Sequence, residues 1–238
     1  MAGRVAYHGG LVTDGLILHL DAARKPSYPG SGENAFDLAN TAVSASLKNG
    51  AGFEDLGKGS FTFDKGDEYL EVSEQLQFGQ NDPFTLSAWI NSVDVNNNQI
   101  INNENTGYVG YQLVVGVGGE IAFLFRNRQS PTVQRIFIDT NAPITAGEWN
   151  YVVATYDGST NASGAKIYVN GSLAATTIRT DTLAGDPISG LKTWIGYRRG
   201  STRGPFNGNI AVVKIYNKEL NASEILQNYN ALKGRFGL

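Results

Sequence analysis

Residues 206–234, PFNGNIAVVKIYNKELNASEILQNYNALKG, constrain the fold more than any other part of the chain. An apolar run rich in β-branched residues, Ile210 to Tyr216, passes directly into a helix signature. Asn221 stands as N-cap, Glu224 three residues on can return a hydrogen bond to the cap, and Leu220 can staple onto Ile225. Ile225, Leu226, Tyr229 and Leu232 follow at helical spacing, with Leu226 expected as a buried anchor, and Gly234 suits a left-handed helix end. A strand-rich chain closed by one short helix is the expectation.

The remaining pattern is of short strands separated by Gly, Asn, Asp and Ser clusters, as in a β-sandwich. Phe84, Leu86, Ala88 and Ile90 alternate with Thr85 and Ser87, while Tyr151 to Tyr156 and Ile210 to Tyr216 are apolar on both faces, as in strands covered on two sides. Asn170-Gly171, between Ile167-Tyr168-Val169 and Leu173-Ala174, has the composition of a two-residue hairpin turn with positive φ at both positions. A second hairpin is expected where Val115 leads through Gly116, Gly118 and Gly119 into Ile121 to Phe125; residues 30–60 look less regular.

Five segments occur in a familiar order: PFTLSAWIN (83–91), GEWNYVVATYDG (147–158), KIYVNGSLAA (166–175), TWIGYRR (193–199) and FNGNIAVVKIYN (206–217). Together with the closing helix they resemble laminin-G-like domains of the concanavalin A-like jelly-roll superfamily. The resemblance implies an all-β, two-sheet antiparallel jelly-roll sandwich with one short C-terminal helix, spanning residues 15–238 after an N-terminal arm of residues 1–14. The ends, GLILHLDAARKPSYPGSG (15–32) and NYNALKGRFGL (228–238), more narrowly resemble laminin-G-like proteins encoded by tailed bacteriophages.

Length fits one domain, since β-sandwiches of this size routinely form one. With 41% hydrophobic and only 17% charged residues the chain can bury a large core, and a net charge of -3 argues against a general nucleic-acid binder. The absence of cysteine excludes disulfides and thiolate metal sites. Asp14, His19 and glycines 9, 10 and 15 interrupt the N-terminal apolar stretch, so neither a cleaved leader nor membrane insertion is expected. Three Asn-x-Ser sequons, at Asn161, Asn170 and Asn221, are read as accidents of an Asn-rich chain.

Catalytic signatures are scarce. His8 and His19 read as a solvent-facing and a strand-packed imidazole, not a metal pair. Jelly-roll glucanases carry a Glu-x-Asp-x-x-Glu strand, which sets two carboxylates on one face of a cleft. The motif is absent, and Asp64, Asp67, Glu68 and Glu71 read as the rim of a hairpin. No cofactor is expected; calcium, held in some relatives by loop oxygens, has Asp64, Asp67 and Asp157 available without a calcium-loop spacing.

Two loops are candidates for recognition. The stretch 95–107 is Asn-rich and offers Asn97 and Asn98; the stretch 196–209 offers Tyr197, Arg198, Arg199, Arg203 and Phe206, an interface-like mixture of arginine and aromatic residues. Arg4, Tyr7 and His8 of the arm join them as candidate anchors. The resemblance implies a non-enzymatic virion protein of a tailed bacteriophage, a capsid decoration or tail-associated adhesin assembled in the host cytoplasm. Its partners would be other virion proteins, copies of itself or host-surface glycans, with no nucleic acid. The alternative is a stand-alone carbohydrate-binding lectin using a concave sheet face or rim loops with exposed aromatics such as Trp89 or Trp194.

Overall fold

The computed structural model describes residues 10–56, 58–129, 132–200 and 204–238. The chain passes through β1 (Leu16–Asp21), β2 (Asn34–Phe36), β3 (Ser44–Lys48), β4 (Gly52–Glu54), β5 (Ser60–Asp64), β6 (Tyr69–Val72), β7 (Phe84–Ser92) and β8 (Asn96–Asn102). It continues through β9 (Gly110–Val117), β10 (Ile121–Gln129), β11 (Thr132–Thr140), β12 (Trp149–Tyr156), β13 (Ala165–Val169), β14 (Ser172–Leu173) and β15 (Thr176–Asp181). The short β16 (Trp194–Ile195) and the long β17 (Asn207–Tyr216) precede α1 (Ala222–Leu232) and a final 3-10 turn, Lys233–Phe236.

The strands form two sheets. The eight-stranded sheet has the order β14-β13-β12-β7-β17-β5-β4, with β1 also paired to β17, and the nine-stranded sheet has the order β15-β11-β10-β9-β8-β16-β6-β3-β2. Every pairing described is antiparallel. Residues 30–60 are more regular than their sequence suggests, because β2 to β4 are short strands at the edges of both sheets.

Alternation along each strand sends one set of side chains to each face. Phe84, Leu86, Ala88 and Ile90 of β7 meet Tyr111, Leu113 and Val115 of β9 and Phe123 and Phe125 of β10 in one continuous core between the sheets. Phe84 stacks on Phe78 at 4.2 Å and meets Phe125 edge-on at 5.1 Å. The opposite face of the eight-stranded sheet is also apolar: Trp89, Tyr151, Val153, Val212 and Tyr216 lie beneath Leu220, Ile225 and Phe236. Trp89, expected as a possible exposed aromatic, is fully buried there, stacked on Phe236 at 4.2 Å.

The closing helix forms as its caps dictate. Asn221 accepts hydrogen bonds from the backbone N–H groups of Ser223 and Glu224, and Glu224 returns one to the N–H of Asn221 at 2.9 Å. Asn228, fully buried, accepts from the Val12 backbone at 2.9 Å and donates to the Tyr216 hydroxyl at 3.1 Å. Residues 10–14 therefore begin the docked part of the chain; Arg4, Tyr7 and His8 lie outside the described residues.

Two expectations for the helix are corrected. Leu226 is 46% exposed, because it sits about 100° around the helix from Ile225 and so leaves the buried stripe of Ile225, Asn228, Tyr229 and Leu232. Gly234 does not end the helix in a left-handed conformation: the 3-10 turn carries the chain onward, and Gly237 adopts φ 80°. That extra turn brings Phe236 onto Trp89 and lets Arg235 bond Asp21 at 2.7 Å, the Gly59 carbonyl at 2.7 Å and the Lys58 carbonyl.

Both expected hairpins are present. Asn170 and Gly171 have φ of 51° and 80° between β13 and β14, and Gly118 and Gly119 turn β9 into β10 with φ of 107° and 98°. The acidic stretch 64–71 is not a hairpin, because β5 and β6 belong to opposite sheets. Asp64 and Glu68 share the Gly66 N–H on a solvated turn, at 3.1 and 3.0 Å. The stretch 95–107 is likewise only partly a loop, since β8 pairs with β9 over most of its length.

The covered face also traps two basic groups. Lys214 of β17 is fully buried beside Tyr151, and burial, opposed by Asp21 and reinforced by Arg235, pulls its amine down to about 7. Its neighbour across the ladder, His19, is strand-packed as expected, and burial with the nearby Lys214 and Arg24 charges lowers its imidazole to about 3.

At these two sites the folded protein binds fewer protons than the unfolded chain, across pH 7 to 10.5 for Lys214 and pH 3 to 6.5 for His19. The contribution of each group to stability should rise with pH through its window and fall as acid is added. Chemical denaturation from pH 4 to 10 will read this slope. Lys214→Met should flatten the alkaline part and stabilise the protein by about 1–4 kcal/mol at pH 7; a less stable variant would show that the amine has a favourable partner. On the helix, Ile225→Ala should cost about 2–5 kcal/mol and Leu226→Ala less than about 1 kcal/mol, and equal costs in a denaturant titration would contradict the helix orientation.

Candidate ligand-binding groove

A sandwich of two sheets has four faces. Two make the core and a third lies under α1 and the final turn, so the outer face of the nine-stranded sheet is the one left uncovered. Its residues are the alternate set of strands already fixed by the core. With Phe123 and Phe125 inward, Ala122, Leu124, Arg126 and Arg128 of β10 point out; with Tyr111 and Leu113 inward, Gln112 and Val114 of β9 do. Ile136 and Ile138 of β11 likewise turn Arg135 and Phe137 outward.

All of these outward side chains but Arg128 line a groove of about 350 Å³. Its floor is an apolar patch of Val114, Ala122 and Leu124 with Phe137 against it. Gln112 is 3% exposed, yet its Nε2 has no hydrogen-bond partner among the described residues, and neither does Nε of Arg126. Unpartnered donors beside an open groove are unusual, because a buried polar group without a partner costs about 1–3 kcal/mol.

One carboxylate organises the basic end of the groove. Glu104, in the loop after β8, is almost wholly buried, and its Oε1 accepts from Arg126 at 2.8 Å. Arg198 Nε lies 3.2 Å from Glu104 Oε2, within ion-pair distance but off the line of a hydrogen bond. Burial raises the Glu104 carboxyl above its usual range despite the two guanidinium groups, and burial lowers Arg126. Desolvation outweighs attraction for this pair, as is common for ions removed from water. The Tyr108 ring collects the cations, with Arg198, Arg126 and Arg128 at 5.0, 5.7 and 5.9 Å from its centre.

The residues singled out in the sequence are divided by the fold. Asn97 and Arg198 line the groove, and Asn97 takes a left-handed φ of 58°. Tyr197 and Arg199 join a neighbouring stack: Tyr69 lies on Trp194 at 4.0 Å, Tyr197 is 6.0 Å away, and Arg199 covers the indole at 4.0 Å while reaching Glu71 at 3.8 Å. Trp194 is thereby buried, not an exposed aromatic, and its indole N–H donates to Glu71 at 2.9 Å.

Asn98 and Phe206 are interior. Asn98 is buried and bonds Ser92 and Asp94, while Phe206 meets Phe63 edge-on in the core. Arg203 lies outside the described residues. Sequence reasoning passed over Glu104, Gln112, Arg126 and Arg135; the available signal was the outward alternation of Leu124, Arg126 and Arg128 against Phe123 and Phe125.

A larger hollow, about 670 Å³, lies between β1 and α1 and abuts Gly10, the first described residue. Among its lining residues, Thr13, the neutral His19 and Arg24 stand beside leucines and alanines, against the amides and arginines of the groove. Among the described residues no three His, Asp or Glu side chains gather as a metal site would need, and no helix is long and apolar enough to cross a membrane.

The fold is similar to that of solved clostridial toxin domains. The binding domain of Paraclostridial Mosquitocidal Protein 1 superposes with a TM-score of 0.67 at 17% identity, over 92% of this chain and 52% of that one. The binding domain of botulinum neurotoxin DC, solved with rat synaptotagmin II, gives 0.65 at 16% identity, over 93% and 52%. A further structure of that neurotoxin domain, in complex with SialylT, gives 0.64 at 16% identity, over 92% and 52%. This chain thus spans about half the length of each. No curated protein sequence matches it significantly. The model of the concanavalin A-like lectin/glucanases superfamily matches residues 64–226, most of the chain and the strands from β6 to β17, and the protein belongs to that superfamily.

Proposed function

We propose that this chain is a non-catalytic binding module that holds a glycan in the groove on the outer face of its nine-stranded sheet. The observation that carries this reading is the groove itself: an apolar floor of Val114, Leu124 and Phe137 beside the amides of Gln99 and Gln112 and the guanidinium groups of Arg126 and Arg135. A sugar ring has the same division, with C–H faces that pack on apolar side chains and hydroxyls that satisfy amides and guanidinium groups. A toxin binding domain of similar fold, solved once with rat synaptotagmin II and once with SialylT, supports a role in cell-surface recognition. The acidic turn at Asp64 and Glu68 is remote in character from a catalytic cleft, being solvated and bonded to its own backbone.

A finer reading makes the module a virion adhesin or decoration protein of a tailed bacteriophage, with the groove turned to the host. It rests on the two end segments of the sequence, GLILHLDAARKPSYPGSG and NYNALKGRFGL. The part of the arm ahead of the docked residues 10–14 would then join the module to other virion proteins or to copies of itself. Cofractionation with particles at fixed stoichiometry, lost when residues 2–9 are deleted, would support it; a protein found only outside particles would remove it.

Glycan-array screening followed by titration calorimetry tests the groove. Leu124→Asp and Gln112→Ala should each weaken binding by roughly tenfold or more while leaving the circular dichroism spectrum unchanged. Glycan binding that survives both substitutions would place the ligand elsewhere.

A further inference from the structure

The basic end of the groove specifies more than a sugar. Arg126 and Arg135 are direct partners across the β10–β11 ladder, and like charges placed opposite one another on a sheet repel. Arg128 follows two residues later on the same face, and Arg198 closes the end from the loop after β16. Against the three guanidinium groups that line the groove stands, among the described residues at this end, one acid, Glu104, already engaged with two of them. Among the described residues no carboxylate lies within ion-pair distance of Arg128 or Arg135. Arg135 is nonetheless held in place, with its Nε donating to Thr180 Oγ1 at 3.2 Å and its guanidinium 5.6 Å from the Phe137 ring centre. This concentration of positive charge sits on a chain whose net charge is -3.

We infer that the groove selects an acidic saccharide, with a carboxylate or sulfate of the sugar lying against Arg126 and Arg135. The inference rests on the glycan-binding reading above and narrows it. An anion between the two arginines would relieve their repulsion. Guanidinium groups suit this role because their planar forks match the oxygens of carboxylate and sulfate. Glu104 is a positioning residue: by holding Arg126 and Arg198 it fixes the direction of their remaining N–H groups. An extended polyanion fits less well than a short sugar, because the groove is small, its floor is apolar and the whole molecule is acidic.

The full chain should be titrated with galacturonic and glucuronic oligosaccharides, with 6-sulfated galactose oligosaccharides, and with the neutral galactose and glucose oligosaccharides of equal length. The acidic sugars should bind roughly tenfold more tightly than the neutral ones at low salt, with the advantage shrinking as salt rises. Arg135→Gln should remove most of that advantage, lowering acidic-sugar affinity far more than neutral-sugar affinity, while Arg135→Lys restores only part of it.

Equal affinity for acidic and neutral members would overturn the acid preference and leave the glycan-binding groove standing. No binding to any member would overturn both. A thymidine oligonucleotide binding as tightly as the acidic sugars would show a general anion surface and overturn the saccharide assignment.

Discussion

The whole molecule depends on closing the outer face of the eight-stranded sheet. Trp89, Tyr151, Val153, Val212 and Tyr216 make that face apolar, and large aromatic side chains bury about 150–250 Å² each. At about 25 cal/mol per Å² such a face is worth many kcal/mol when covered, and uncovered it would be an association surface. Leu220, Ile225 and Phe236 cover it, and the Arg235–Asp21 pair, its carboxylate almost fully buried, ties the cover to β1. The same contact gives a physical account of the two end segments. Asp21 belongs to the first and Arg235 and Phe236 to the second, so part of what makes them distinctive is that they bond to each other.

Covering that face decides where recognition can occur. Sheet faces are scarce, and once three are buried the fourth carries the exposed chemistry. The nine-stranded sheet answers with a mixed surface: aliphatic and aromatic groups at the floor, amides beside them and guanidinium groups at one end. Tyr108 and Glu104 collect the arginines, one through its ring and the other through its charge. Burying Glu104 and Arg126 costs solvation that their attraction does not fully return.

Several features were legible in the sequence because their causes are local. The Asn221 cap with Glu224 acts within one helical turn, and Asn170-Gly171 meets a φ requirement of its own two residues. Strand alternation in β7 likewise named its inward set correctly. The misplacements share a different cause. Helical spacing points Leu226 inward and residue type points Phe206 to an interface, but exposure depends on which element lies opposite: Leu226 is half-exposed and Phe206 turns inward onto Phe63. The acidic turn was read as a hairpin because β5 and β6 are close in sequence, yet the chain there crosses between sheets.

The sequence by itself determined the all-β sandwich, the closing helix and its cap, and the two tight hairpins, since each follows from periodicity or from backbone limits within a few residues. Tertiary structure alone decided the groove. Glu104, Gln112, Arg126, Arg135 and Arg198 come from three strands and two loops, and they meet because β8 through β11 and β16 lie in one sheet with a fixed register. A shift of one residue in any of those strands would turn its outward groups into the core. Charge and amide placement on that face is therefore a property of strand pairing, which no single segment encodes.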